Sequence, residues 1–437
     1  MLGRIRFFFQ NLSFTHRLFV AFIWLLRVIF TPIVLVIGII SVIHYYLEEF
    51  VHRFQRVRGY FDTRYSIRKL NVVATGGTGG HLFPALNFAM QSSSAQRMGL
   101  ISDSKAISII LKRYKVRNKT INNIIYCGEG KIRWLFLPII PLKQSFKSLL
   151  LFILSMIKSF FQFFIYGFFL RKIVGFGGYA SFPTLFWGVV FRKQVFIHEQ
   201  NAVFGKVNFL FLIFAKKIFT FIPIETPLRN VYNVGMPLSN AIELGGRFVK
   251  RQKTEILNIL IISGTNAGAE SVKSILPAVI NFSKKHKDIH VMHQASGSVA
   301  VELEERYKKH GISYDIKPFF ENIHEILPQV SLAISRSGAS SIADLLAFGV
   351  PTIFVPLKTS ADNHQVKNAN WVVNNNLGFL HKPWESNSYS LTALMNLCVS
   401  ESFSGQMSRL AQLAIKRNAN AAMFSEIFRN HEEDYYA

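Results

Sequence analysis

Several clusters of glycine or polar residues in this chain are of the kinds that do chemistry, and each follows an apolar run. The first is Gly76-Gly77-Thr78-Gly79-Gly80-His81, directly after Leu70-Asn71-Val72-Val73-Ala74. Its glycines let backbone approach a ligand closely, a helix opening after them offers N–H groups to an anion, and His81 adds a titratable ring at the loop mouth. The pattern is not GxxxxGK[ST], and no lysine follows it, which excludes a Walker nucleotide site; it also departs from GxGxxG, which disfavours a dinucleotide. A second glycine loop is Gly175-Phe176-Gly177-Gly178-Tyr179-Ala180-Ser181. His198-Glu199-Gln200-Asn201 then sets an imidazole, a carboxylate and two amides in succession. In the second half, the small residues of Ser335-Arg336-Ser337-Gly338-Ala339-Ser340-Ser341 suit a diphosphate at a helix start, and Asp344 one turn on can accept from ribose hydroxyls. Asp362, His364, Gln365 and Asn368 form a further compact polar set.

Such residues work together only if the strands before them share a direction. Leu70 to Ala74 reads as a buried strand, with a helix from Pro84 to Gln91 and further strands near 99 to 101, 124 to 126, Ile173 to Gly175, Val195 to Ile197 and Lys217 to Thr220. Beyond Gly235-Met236-Pro237, a polar basic stretch through Lys253 reads as a linker. The alternation restarts with strands over Leu257 to Ser263, Ile289 to His293, 312 to 316, Ser331 to Ser335 and Pro351 to Val355, separated by helical patterns, and helices fill 388 to 430. Strands alternating with helices imply parallel sheets, so the expected fold is α/β with two Rossmann-like domains and an interdomain cleft. The expected boundaries are 1–67 for a hydrophobic extension and basic linker, 68–240 and 255–415 for the two domains, and 416–437 for a C-terminal helix and tail. In a parallel sheet the strand ends that carry all these clusters lie on one edge, where ligands bind.

The charge is one-sided. Of a net +25 over 437 residues, residues 71–240 carry twenty Lys/Arg against four Asp/Glu, whereas 241–437 carry twenty against eighteen. The first half therefore expects an anionic partner, either phospholipid headgroups or a phosphate-bearing substrate. Nucleic acid is disfavoured, because no platform of interleaved aromatic and basic residues accompanies the charge. Cys127 and Cys398 lie far apart without a CxxC, which suggests neither a disulfide framework nor a zinc site. Residues 18–47 are almost wholly apolar, long enough for a membrane anchor, and no small-residue cleavage site follows. A hairpin, a re-entrant helix or a start beyond residue 66 are the competing readings. The apolar stretch 144–170 is broken by Lys147 and Lys158; its polar residues share one stripe, and the broad Phe- and Leu-rich remainder suits both a sheet face and the membrane interface.

The ordered set TGGTGGH with Pro84-Ala85-Leu86, GFGGY, HEQN, SRSGAS and the HQxxNA of His364 to Ala369 resembles the MurG family over about residues 68 to 430. The resemblance implies a GT-B glycosyltransferase that moves N-acetylglucosamine from UDP-N-acetylglucosamine to undecaprenyl-diphospho-muramoylpentapeptide, turning lipid I into lipid II. It implies inverting transfer without metal or other cofactor, at the cytoplasmic side of the bacterial inner membrane. The anionic phospholipid surface and proteins of cell-wall synthesis and division are the further partners it suggests. Carried over residue by residue, Thr78, Gly79, Gly80 and Asn201 would face acceptor and sugar. Asn266, Gly338, Ala339, Ser340, Ser341, Asp344 and Gln365 would hold the UDP-sugar, with the Phe320 backbone at the uracil edge. His81 or Glu199 would deprotonate the acceptor hydroxyl, with His81 narrowly favoured. The chain departs from the family at Ser239, in the place of a basic diphosphate ligand, at Asn266 in place of a serine, and at Asp344 in place of a glutamate.

A glycolipid-forming hexosyltransferase, or a degenerate UDP-sugar-binding membrane protein without activity, are the rival functions. Removal of residues 1–66 is expected to lower membrane partition in vesicle sedimentation. Unchanged partition would overturn the anchor reading and make the 144–170 surface sufficient.

Overall fold

The computed structural model describes residues 70–76, 79–91, 98–103, 106, 124–127, 130–136, 154, 156–157, 159–161, 170–249, 255–263 and 271–428. Thr78, Asn266, the expected anchor in 1–67 and most of 144–170 lie outside the described residues. Contacts divide the described chain into two compact units. One takes the residues up to Glu199, Phe204–Asn233 and those from Ser425 onward; the other takes Gln200–Val203 and Val234–Phe424.

In the first unit, β1 (Leu70–Ala74) leads to α1 (Gly79–Met90), followed by β2 (Met98–Ser102), β3 (Ile124–Cys127), β4 (Gly130–Phe136) and β5 (Leu170–Gly175). Then come α2 (Phe182–Val190), β6 (Gln194–Glu199), α3 (Lys206–Phe211), β7 (Lys217–Thr220) and β8 (Val231–Asn233). The sheet order is β3-β4-β2-β1-β5-β6-β7-β8. Only β3 runs antiparallel, against β4. All five residues of β2 are buried. Such strands read as unbroken apolar runs because both sheet faces are covered. Against one face, Leu185, Trp187 and Phe191 around α2 pack on Ile173, Val195, Ile197 and Ile218. Winding proceeds from β1 to β2 on one side and resumes at β5 on the other, so the topological switch point lies between β2 and β5, at the end of β1.

The second unit opens with α4 (Asn240–Phe248), β9 (Leu257–Ile262), α5 (Leu276–Ser283), β10 (Ile289–Gln294), α6 (Ser298–Lys309), β11 (Ser313–Lys317) and β12 (Leu332–Ser335). It continues through α7 (Ala339–Ala347), β13 (Thr352–Phe354), α8 (His364–Asn374), β14 (Phe379–Leu380), α9 (Ser388–Val399) and α10 (Glu401–Ala414) into α11 (Ala419–Phe428). Its strands are ordered β11-β10-β9-β12-β13-β14 and all pairs are parallel. The switch point is at the end of β9. Within the core, His293 is fully buried with Nδ1 2.9 Å from the Tyr307 hydroxyl, and burial pushes its pKa down to about 3, so the ring is neutral.

The last turn of α11 belongs to the first unit. There Lys172 of β5 donates to the Ile427 carbonyl and Lys217 of β7 pairs with Glu426. An ammonium suits the carbonyl end of a helix. Burial first, and then Arg171, Lys216 and Lys217, lower the Lys172 pKa to about 8.

Two elements differ from the sequence reading. α1 begins at Gly79 rather than near Pro84, so His81 stands in the first helical turn and not on the loop before it. The stretch read as a linker contains α4, which Ser239 caps by accepting from the Ile242 N–H at 3.3 Å. Its Gly245-Gly246 pair looks like a helix breaker. A Cβ on Gly246 would lie 2.4 Å from the Ala347 carbonyl oxygen, and one on Gly245 2.8 Å from the Phe348 ring, so the glycines serve close packing on the end of α7. Arg417 ties the same region together by donating to the carbonyls of Glu243, Gly246 and Ala347. Among the described residues no helix is long and apolar enough to cross a membrane.

Candidate functional site

At the first switch point two backbones come close enough to exclude any side chain. The Gly76 N–H donates to the Gly177 carbonyl at 2.9 Å, and the Phe176 N–H to Ala74 at 2.8 Å. A Cβ on Gly76 would stand 2.7 Å from Gly178 Cα, and one on Gly178 2.6 Å from Gly76 Cα. Gly177 and Gly178 also hold φ of +83° and +79°, where glycine alone is unstrained. The Ser102 hydroxyl at the end of β2 donates to the Thr75 carbonyl at 2.9 Å and closes the other flank.

This contact sets the histidine. His81 Nδ1 lies 2.9 Å from the Phe176 carbonyl oxygen. A carbonyl can only accept, so Nδ1 carries a proton, and the tautomer this selects for a neutral ring has its lone pair on Nε2. Phe176 in turn stacks on the buried His198 ring at 5.1 Å between centroids. Glu199 is fully buried; its Oε2 accepts from the Gly205 N–H at 2.9 Å and from Asn208 Nδ2 at 2.8 Å. The same Asn208 amide reaches the His198 carbonyl at 3.2 Å. Glu199 thus shapes the 200–205 loop, whereas His81 is partly exposed beside the glycines.

In the second unit the corresponding edge is tied by a guanidinium. Arg336 donates through Nε to the Ser263 carbonyl at 3.3 Å and through Nη1 to Val355 at 3.0 Å and Pro356 at 3.1 Å. Its N–H donates to Ile262 at 3.0 Å. One side chain therefore joins the carboxyl ends of β9, β12 and β13. After it, α7 starts at Gly338, and no side chain caps its first turn. Gly338 has φ −68°, and a Cβ there would meet nothing within 4 Å. Neither the backbone nor packing by the described residues demands glycine at this position.

Gln365 is drawn to this edge from α8: its Oε1 accepts from the Leu357 N–H at 2.9 Å, and the Ser337 hydroxyl donates to its carbonyl at 2.7 Å. The turn into α8 passes through left-handed Asp362 and Asn363, at φ 51° and 56°, residue types that tolerate this region. Asn368 is fully buried. Its Nδ2 donates to Asn201 Oδ1 at 3.1 Å and the Ser337 carbonyl at 3.0 Å, and its Oδ1 accepts from the Ala202 N–H at 2.8 Å. Those bonds place Gln200–Val203 in the second unit, so the HEQN cluster is shared: His198 and Glu199 in one unit, Gln200 and Asn201 in the other. Phe320 lies buried in the loop after β11, which the Gln294 amide holds through the Pro318 carbonyl at 3.1 Å. Asp344 sits half-buried in the second turn of α7.

Gly79, Gly80 and His81 thus stand together in one unit, and Asn201, Phe320, Gly338 to Ser341, Asp344 and Gln365 at the carboxyl edge of the other. Sequence reasoning assigned no role to Arg336, Asn208 or Asp103. The signal for Arg336 was present, a charged residue inside a run of small ones at a strand end, but its partners are backbone carbonyls that no spacing shows.

Residues 71–220 match the glycosyltransferase family 28 N-terminal domain and residues 258–423 its C-terminal domain. The chain is similar to the UDP-N-acetylglucosamine--N-acetylmuramyl-(pentapeptide) pyrophosphoryl-undecaprenol N-acetylglucosamine transferase of Rickettsia canadensis, at 32% identity over 72% of this chain and 85% of that protein. The protein of the same name from Alkalilimnicola ehrlichii is 30% identical over 78% of this chain and 93% of its own length. Among solved structures, Acinetobacter baumannii MurG superposes with a TM-score of 0.65 at 21% identity, covering 83% of this chain and 99% of that one. The fold is GT-B.

Gly178→Ala is expected to lower the unfolding free energy by roughly 2 to 3 kcal/mol, the scale of combined clash and backbone strain, measured by denaturant titration. Gly338→Ala should cost no more than about 1 kcal/mol. Equal losses would contradict the distinction between a packing glycine and a ligand glycine.

Proposed function

The chain belongs to the MurG family of glycosyltransferase family 28, and from that membership we propose that it transfers N-acetylglucosamine from UDP-N-acetylglucosamine to lipid I, forming lipid II for peptidoglycan. The observation that carries this reading is that the family's loops stand at the carboxyl edges of both sheets, with the two glycine loops locked around His81. His81 Nε2 takes the proton of the acceptor 4-hydroxyl as its oxygen attacks the anomeric carbon, inverting it. The bond to UDP breaks, and negative charge grows on the departing diphosphate. The amides of Ala339, Ser340 and Ser341 at the start of α7 receive that charge, aided by the helix dipole and the serine hydroxyls. Asp344 accepts from ribose hydroxyls, the Phe320 backbone meets the uracil edge, and Gln365, Asn201 and Asn266 hold the sugar end. Thr78, Gly79 and Gly80 face the acceptor. Glu199, buried against Asn208 and Gly205, acts as a positioning residue for the loop that leads to Asn201.

Ser239 supplies no charge to the diphosphate, since its hydroxyl caps α4. The helix start of α7 carries that task instead, without a metal ion. Membrane contact on the cytoplasmic side of the inner membrane is assigned to the surface around Leu154, Ile157 and Phe161, exposed at 52%, 49% and 58% while the neighbouring Met156 and Phe160 pack on the core. Exposed apolar groups in the strongly basic half of the chain suit an anionic lipid surface. Proteins of cell-wall synthesis and division are the further partners of this reading.

The test uses purified full-length protein in vesicles with UDP-N-acetylglucosamine. UDP release should require lipid I, and His81→Ala should lower kcat by about 10² to 10⁴ while leaving UDP affinity within twofold. Retained UDP affinity without transfer, beside a working control enzyme, would sink the transferase reading in favour of a donor-binding protein. Full activity of His81→Ala would remove the histidine from proton transfer.

A further inference from the structure

One buried carboxylate at the edge of the first sheet has no part in the chemistry described so far. Asp103 directly follows β2 and is 2% exposed. Its Oδ1 accepts from the Ala106 N–H at 2.8 Å, and its Oδ2 accepts from the hydroxyl of Tyr179. Tyr179 is the residue after Gly178, and a Cβ on Gly178 would lie 3.5 Å from the His81 ring. Tyr179 is therefore one residue on from the backbone that meets the His81 ring, on the loop that flanks β1 opposite to Asp103. Local capping needs only one carboxylate oxygen; the second reaches across the switch point to a side chain 76 residues away.

A tyrosine kept for packing buries its ring, yet Tyr179 is 37% exposed. Its hydroxyl hydrogen is committed to Asp103, so the oxygen presents lone pairs to whatever occupies the edge. Burial first, and then the hydrogen bond and charge of Asp103, push the Tyr179 pKa well above its ordinary value, which keeps it a neutral phenol. Among the described residues, the phenol and the Ala106 amide are the groups that donate to the carboxylate.

We propose that Asp103 is a positioning residue for the acceptor: it fixes the Tyr179 phenol on the same glycine loop that holds His81, so that the phenolic oxygen accepts a hydrogen bond from an O–H or N–H of the acceptor sugar. The proposal rests on the transferase reading above. It adds a side-chain contact to the acceptor-facing glycines of the first unit. It also explains why a tyrosine follows a glycine pair that the backbone contact alone requires.

Steady-state kinetics with both substrates varied tests it in the full chain. Tyr179→Phe should raise KM for lipid I about tenfold, the effect of losing one good hydrogen bond, with KM for UDP-N-acetylglucosamine within twofold. Asp103→Asn should raise the lipid I KM by a similar factor in the wild-type background and add less than twofold on top of Tyr179→Phe. Thermal unfolding of each variant separates this from damage to the fold. A lipid I KM that stays within twofold in Tyr179→Phe overturns the proposal, as does a shift confined to the donor KM. Effects of the two substitutions that multiply, following a lowered melting temperature, would make Asp103 a structural cap and overturn it too. If the wild-type protein transfers nothing, the transferase reading fails first, and that result is distinct from any of these.

Discussion

The approach of Gly76 to Gly178 is the constraint on which the first unit depends. Two strands that flank a switch point splay at their ends, and a site between them needs something to hold the edges at a fixed separation. Here the backbones do it themselves, with Cα-to-Cβ space below 3 Å in either direction and a hydrogen bond from Gly76 to Gly177. Side-chain hydrogen bonds have rotamers to lose, whereas this contact has none. Once it is made, the Phe176 carbonyl has one place to point, and His81, in the first turn of α1, meets it with Nδ1. The tautomer of the ring then follows from the backbone geometry.

The second unit solves the same problem by different means. Its switch-point edge is joined by Arg336, whose planar guanidinium satisfies carbonyls at the ends of two strands on either side of its own. A guanidinium is a fixed fork of donors and so can impose geometry as well as charge. The reward is an uncapped helix start at Ala339, which a local Ser or Asp cap at Gly338 would have filled. Leaving that turn without a side-chain cap costs some helix stability. At Ser239, where the family carries a basic residue, the hydroxyl is used for capping α4.

Much of this is legible in the sequence. Buried parallel strands announce themselves as short apolar runs, which is why β1, β6, β7, β9, β10 and β12 lie within a residue or two of where the sequence places them, while β5 starts three residues earlier. The glycine loops were legible because strand-to-helix turns at a ligand edge are chemically distinctive. What failed was local. Gly245 and Gly246 disguised α4 as a linker, since their packing partners, Ala347 and Phe348, are a hundred residues away. Gly79 and Gly80 hid the true start of α1, because intrinsic propensity opposes helix at glycine and only the fold overrides it. HEQN read as one cluster, yet the buried Asn368 amide draws its second half into the other unit. The Asp103 to Tyr179 bond joins residues with no pattern between them, and only the parallel register brings β2 and the β5 loop to opposite flanks of β1.

The central claim is a division of labour: the anion of the donor binds at the open start of α7, and the glycine-framed histidine serves the acceptor. Amide hydrogen exchange on the full chain, with and without saturating UDP, tests it most directly. The account predicts slowed exchange at Ala339, Ser340 and Ser341 with Gly79, Gly80 and His81 unchanged. Protection at Gly79 to His81 with none at the start of α7 would contradict it.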